Sequence, residues 1–344
     1  MLRALGARSM ASLKEQIAAL RAATGSGMVD CKKSLTATDG SFDEALAWLR
    51  EKGLASASKK AGRSTSEGLV AVAYSADGRS SASMVEVNCE TDFVAKTEVF
   101  QDLVMSIATT SEVLFVDAAA STLDDDARLA ALLAAPLHGS DEYSSVEEAL
   151  TAMIARVGEN LRLARVDRVA VADPSLGAVA SYIHKPAVAG GALGAQGALV
   201  ALAQDGSSAM SLDELAEVGR SFAMHVVAAQ PLYLAEEDVP SEVIEKERSI
   251  LIAEIANEES EALAAGSAAG KKPRKPKPEA VVQKIVAGRI AKFMTENVLQ
   301  EQICLVNNES GKATVAALLP DQVELTAFAR FACGELAAQN GEEE

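Results

Sequence analysis

Residues 84–97 read Met84-Val85-Glu86-Val87-Asn88-Cys89-Glu90-Thr91-Asp92-Phe93-Val94-Ala95-Lys96-Thr97. Met84, Glu86 and Asn88 alternate with Val85, Val87 and Cys89, a pattern that predicts a half-buried strand. The strand stops at Thr91-Asp92, residue types that favour helix N-caps, so Phe93 falls at the first position of a helix. Val94, Phe100, Leu103, Val104 and Ile107 follow at three- and four-residue spacing and give that helix a buried stripe that does not need Phe93. The ring is then either a hydrophobic staple folded back on its own core or an apolar group presented to a partner.

Upstream, Leu69 to Tyr74 forms a second strand pattern and Asp77-Gly78 supplies the turn, so a β-hairpin feeds the Phe93 helix. Residues 55–68 are small, polar and basic, with Lys59, Lys60 and Arg63, and read as a linker. Before it, residues 12–54 carry two capping-box patterns, Ser12 with Glu15 and Ser41 with Glu44, a break at Gly25-Ser26-Gly27 and a stop at Gly53. Three short helices in that length form a small bundle around Trp48, a module of the kind that binds proteins.

Downstream, Ser111 to Glu142 is acidic and Ala/Leu-rich, and its Asp124-Asp125-Asp126 cluster reads as a helix start. Ser145 and Glu148 cap a helix that ends near Gly158, and Leu161 to Ala172 alternates as a strand, completing an α+β subdomain over 69–172. Strands at Val179–His184, Ala198–Ala203 and Glu324–Ala332, with a helix capped by Ser211 and Glu214, place a second one over 173–241 and 297–334. Between these last two segments, residues 242–296 form two charged helices joined by the Gly266–Pro278 break, a protruding hairpin. The fold class is α+β: a three-helix bundle, two subdomains with small antiparallel sheets, a helical hairpin, and an acidic tail over 335–344.

At 344 residues the chain suffices for roughly two or three domains. Its 49% hydrophobic content with only 4% aromatics predicts a predominantly helical protein. A net charge of -17 argues against a broad nucleic-acid face, which needs clustered Lys and Arg. The basic run Lys271-Lys272-Pro273-Arg274-Lys275-Pro276-Lys277 reads as a solvated linker at the hairpin tip. No apolar run approaches the roughly 18 residues that cross a membrane. Residues 1–11 contain Arg3 and Arg8 and no acid, the pattern of an organelle-targeting leader, and make a mitochondrion the expected location ahead of a bacterial-type cytoplasm or a plastid.

Cys31, Cys89, Cys304 and Cys333 are isolated from one another and from His, which speaks against a zinc site or a disulfide framework. The chain holds no phosphate-binding loop, no Gly-rich dinucleotide turn, no nucleophile elbow, and no activating arrangement around His138, His184 or His225. It reads as a non-enzymatic protein without catalytic residues, cofactor or metal.

Thr24-Gly25-Ser26-Gly27-Met28-Val29-Asp30-Cys31-Lys32-Lys33-Ser34-Leu35 closely resembles the N-terminal signature of the translation elongation factor Ts family. Glu86 to Lys96 is similar to that family's second signature. Val157-Gly158-Glu159-Asn160, Met224-His225-Val226 ahead of Pro231, Gly288-Arg289 with Lys292-Phe293, and Phe328-Ala329-Arg330-Phe331 match it further, in order. The resemblance implies a guanine-nucleotide exchange factor for elongation factor Tu, binding both the GDP-bound and the nucleotide-free GTPase, with an N-terminal bundle of the ubiquitin-associated type that docks on it. It implies that Asp92 and Phe93, flanked by Thr91 and Val94, enter near the magnesium and nucleotide site, and that His225 assists. It also places Met28, Cys31, Lys32 and Lys33 at the docking surface. The rival class, a ubiquitin-associated-type adaptor for a different partner, does not require an exposed ring at Phe93. Departures from the family pattern are the long acidic insertion, the Lys/Pro-rich tip and the short acidic tail.

Overall fold

The computed structural model describes residues 12–116, 123–188, 191–207, 210–268 and 277–336. The expected leader, most of the basic run and most of the acidic tail lie outside them. The chain divides into two compact units, one of Met1–Arg168, Ile183–Gly197 and Phe331–Glu344, the other of Val169–Tyr182 and Ala198–Arg330. The division falls inside strands instead of at the boundaries drawn from composition near 172 and 297, and the hairpin belongs to the second unit.

In the first unit, α1 (Leu13–Thr24), α2 (Met28–Ala37) and α3 (Phe42–Lys60) close on Leu20, Cys31, Leu35, Ala45 and Leu49. Ser12 and Glu15 form both halves of a capping box, and Gly25 takes the left-handed C-cap with φ 65°. Ser41 makes no capping bond, so the second predicted box is absent. Gly53 is not a stop either. The helix runs through it to Lys60, and a Cβ there would make an ordinary contact with the Ala155 side chain at 3.4 Å. The predicted linker is therefore helical as far as Lys60.

β1 (Glu67–Tyr74) and β2 (Ser81–Cys89) pair antiparallel from Glu67 opposite Cys89 to Tyr74 opposite Ala82. Asp77 organises their turn, accepting from Ser75 Oγ and from the Arg79 and Ser80 amides. Those bonds, Ser75 first, hold its carboxyl well below the usual range. After β2 the chain forms α4 (Asp92–Ala95) and then α5 (Glu98–Leu114), which buries Phe100, Leu103, Val104 and Ile107 in one cluster with Val85, Val87 and Cys89. α6 (Asp125–Ala134) starts at Asp124, whose carboxylate accepts from the Ala127 amide, and α7 (Val146–Val157) leads into β3 (Leu161–Ala170).

The strands join one six-stranded sheet, not two small ones, in the order β3-β2-β1-β5-β4 with β6 also on β5. β4 (Gly177–Pro186), β5 (Leu193–Gln204) and β6 (Val323–Ala332) run ten to twelve residues, longer than their apolar cores indicated. β5 opens with Leu193-Gly194-Ala195-Gln196-Gly197, which looks like loop. Both glycines are needed there because Ile183 methyls would lie 2.5 and 2.7 Å from a Cβ. This opening stretch carries the pairing to β1, Val70 with Gly194 and Ala71 with Leu193.

In the second unit α8 (Leu212–Ala229) has the predicted Ser211/Glu214 capping box and packs Leu215, Phe222, Ala223 and Val226 among Val200, Leu202, Val315 and Val323. α9 (Ser241–Ala268) and α10 (Glu279–Asn297) form the hairpin on a thin core of Leu251, Ile255 and Val286. Arg289 ties the two helices through Glu254 at 3.1 Å and Glu258 at 3.0 Å. α11 (Val315–Leu318) precedes β6. Ile303 makes an isolated antiparallel bridge to Thr314.

Two carboxylates are buried, and one of them, Glu86, departs from the predicted half-buried strand pattern. Glu86 is fully buried, accepting from Arg165 Nε at 2.6 Å, Asn88 Nδ2 at 2.9 Å and the Gly334 amide at 2.8 Å. Glu112 accepts from Ser81, Ser83 and Arg168. Arg165→Ala strands the Glu86 charge in the interior and should cost about 3–5 kcal/mol in urea unfolding, whereas a loss below about 1 kcal/mol would show that the pair is not closed in solution.

His225 on α8 is also fully buried, its Nε2 donating to Gln302 Oε1 at 2.9 Å and its Nδ1 accepting the Leu305 amide at 3.1 Å. Burial lowers its pKa from the usual 6.5, only partly opposed by Gln302. Below about pH 6.5 the unfolded chain binds a proton that the folded unit resists, so stability is full above that pH and falls as acid is added. Between pH 7.5 and 5.5 the unfolding free energy of His225→Gln should decline less than that of the unsubstituted chain. Equal slopes would contradict the buried neutral imidazole.

Candidate functional site

Each side of the turn between β2 and α4 is fixed by a different part of the chain. Cys89, whose thiol burial pushes up to about 12, keeps its proton and donates it to the Thr91 carbonyl at 3.1 Å. Glu159, just after α7, accepts from the Thr91 amide at 3.0 Å and from Thr91 Oγ1 at 2.6 Å. The next residue, Asn160, returns the bond: its amide donates to Glu90 at 2.6 Å, and this bond above all holds the Glu90 carboxyl below its usual range. Arg63 adds an ion pair to Glu90 at 3.2 Å, while Asn160 Nδ2 donates to the Arg63 carbonyl at 3.0 Å. Two adjacent turns thus clasp each other, Glu90 to residue 160 and Glu159 to residue 91.

Beyond the clasp, Val94 and Ala95 are buried in the main apolar cluster and anchor α4. Thr97 interrupts the helix, its hydroxyl donating to the Val94 carbonyl at 2.7 Å, so the single predicted helix is a one-turn element followed by α5. With its neighbours turned inward, Phe93 points outward and is 77% exposed. The staple is excluded. Asp92 is the first residue of α4 and pairs with Lys96, which also sits 6.0 Å from the Phe93 ring centre. Thr91 occupies the N-cap position but spends its hydroxyl on Glu159, not on a cap.

The other expected contact residues separate into exposed and buried. Met28 and Val29 are exposed at the start of α2, with Lys32 and Lys33 exposed beside them. Cys31 is buried in the bundle core, where it cannot touch a partner, because the α2 stripe that supports the exposed face needs it. Val94 is likewise buried and acts as an anchor. His225 has no exposed surface; what it displays is the segment after the short turn Leu299–Glu301, where Ile303 and Leu305 are exposed. Glu90, Arg63 and the side chains of Glu159 and Asn160 carry the geometry of the corner, and their roles were not read from sequence. The available signal was Gly158, a left-handed C-cap followed at once by two polar residues.

Among the described residues no group of three His, Cys, Asp or Glu is arranged to hold a metal ion, and no helix is long and apolar enough to cross a membrane. The corner presents an exposed aromatic ring beside a carboxylate, a geometry suited to contact.

The family model for elongation factor TS matches residues 90–335. An elongation factor Ts of Paramagnetospirillum magneticum is 42% identical over 320 residues, covering 92% of this chain and 89% of the relative. One from Rhodospirillum rubrum is 40% identical over 323 residues, 93% and 91% of the two chains. One from Maricaulis maris is 40% identical over 332 residues, 94% and 93%. The matched span begins at Glu90, inside the clasp, and continues through the corner, α8 and the hairpin; with relatives aligned over nearly their whole length, the chain belongs to the elongation factor Ts family.

Proposed function

We propose that this protein is a guanine-nucleotide exchange factor without bond-making chemistry, binding elongation factor Tu one to one and promoting release of its GDP. The observation that carries the reading is Phe93, a large ring held outward on a fixed corner. An exchange factor works by binding the nucleotide-free GTPase more tightly than the GDP-bound one, and linkage then weakens nucleotide binding by the same factor. A thousandfold acceleration of release requires about 4 kcal/mol of such preference. A buried aromatic anchor contributes about 2–4 kcal/mol, whereas an exposed ion pair gives less than about 1 kcal/mol.

In this mechanism the bundle docks through Met28, Val29, Lys32 and Lys33. Phe93 and Asp92 then enter near the magnesium and nucleotide site. There the Asp92 carboxylate, released from Lys96, disfavours the phosphate and metal arrangement by like-charge repulsion. His225 acts indirectly, by holding the segment of Leu305. The bacterial relatives favour a bacterial-type translation system as the setting, and the mitochondrial location inferred from residues 1–11 gains no support from them.

Stopped-flow release of a fluorescent GDP from elongation factor Tu tests the reading. The unsubstituted protein should accelerate release, and Phe93→Ala should lower the rate at saturation about ten- to a hundredfold. No acceleration by the unsubstituted protein would remove the assignment. Reversing Lys32 and Lys33 to Glu should slow association several-fold with a weaker salt dependence, leaving the saturated rate within about twofold. A collapse of the saturated rate would place these lysines in the exchange step instead.

A further inference from the structure

We infer that Glu159 is a positioning residue for exchange: together with Glu90 it forms a reciprocal clasp that keeps Phe93 out of its own core and ready for the partner. The inference rests on the exchange-factor reading and names what sets the efficiency of its corner.

An exposed phenyl ring next to an apolar cluster has an alternative destination. Rotating the Thr91–Asp92 backbone would allow Phe93 to fold back as the staple its position in the sequence predicts. α4 is only four residues long, too short to hold its own direction by helical hydrogen bonding. Its direction is set from outside. Glu159 takes both donors of Thr91, the amide and the hydroxyl, and the Cys89 thiol takes its carbonyl, so all three polar groups of that residue have partners within 3.1 Å.

The reciprocal bond matters equally. Asn160 donates to Glu90 and anchors its own side chain on the carbonyls of Ala61 and Arg63, at 3.4 and 3.0 Å. Glu159 is thereby fixed from behind, by the segment that leaves α3. The clasp joins the end of β2, the start of β3 and the end of α3 around one residue, Thr91. Neither Glu159 nor Asn160 needs to touch the partner for this to work. Because the corner is ordered before binding, little of the binding free energy is spent on ordering it, and more is available to discriminate between the two states of the GTPase.

The test is a double-mutant cycle on saturated GDP release with Phe93→Ala, Glu159→Ala and the double variant. Glu159→Ala should slow release about tenfold at saturation with half-saturating concentration unchanged within about twofold. It should cause no further slowing in the Phe93→Ala background, since it acts only through that ring. Thr91→Val, which removes the hydroxyl bond and keeps the amide one, should fall between wild type and Glu159→Ala, and it carries the test if the alanine variant does not fold. Amide hydrogen exchange at Thr91 should rise at least tenfold in Glu159→Ala. A wild-type rate for the clasp variants beside a slow Phe93→Ala overturns the clasp alone. Losses that multiply in the double variant, or that appear only in half-saturation, overturn it too, marking Glu159 as a structural or docking residue. A wild-type rate for Phe93→Ala removes the exchange role of the corner and the inference with it.

Discussion

β2 is buried along all nine of its residues, and every polar side chain on it must therefore find its partner inside the protein. On one face, Glu86 and Asn88 draw in Arg165 of β3, the Gly334 amide and the Cys333 sulfur. On the other, Ser81 and Ser83 draw in Glu112 of α5 and Arg168 of β3. These groups come from segments as far apart in sequence as 81 and 334. Desolvated charges leave little tolerance for slippage, so the register of β2 against β3 and the course of the chain after β6 are specified together.

The rigidity of that strand is what makes its end useful. A turn that leaves a fixed strand, and is clasped to the turn entering the neighbouring strand, has nowhere to relax. Leaving Phe93 in water forgoes roughly 1.5–3 kcal/mol of burial, while its neighbours Val94 and Ala95 are buried. Under the proposed exchange mechanism, stability is given up where contact is needed and recovered beside it.

What was legible in the sequence was what local rules encode. The Asp77-Gly78 hairpin, the capping boxes at Ser12 and Ser211, the Asp124 helix start and the amphipathic stripes of α5 and α8 all rest on bonds within a few residues. What was missed depends on remote partners. Gly53 looks like a C-cap although its helix runs on to Lys60, and the glycines of β5 look like loop until Ile183 fills their space. Glu86 in an alternating strand reads as solvent-facing because nothing nearby announces Arg165, seventy-nine residues on. Thr97 breaks the helix after Phe93 by capturing the Val94 carbonyl, a competition that apolar periodicity does not register.

The motifs that carry the family resemblance also separate by physical role. Cys31, Val94 and His225 are buried, Glu159 and Asn160 bind other turns, and Arg289 binds across the hairpin. Met28, Val29, Lys32, Lys33, Asp92 and Phe93 remain at the surface in the two motifs of the bundle and the corner. Fixing a backbone residue costs about 1–2 kcal/mol, so a mobile corner of several residues would consume the whole free energy that one aromatic anchor can contribute. A contact surface this small can discriminate between two states of a partner only if its order is supplied beforehand. The buried motifs supply it, which is why so much of the family signature lies in the interior.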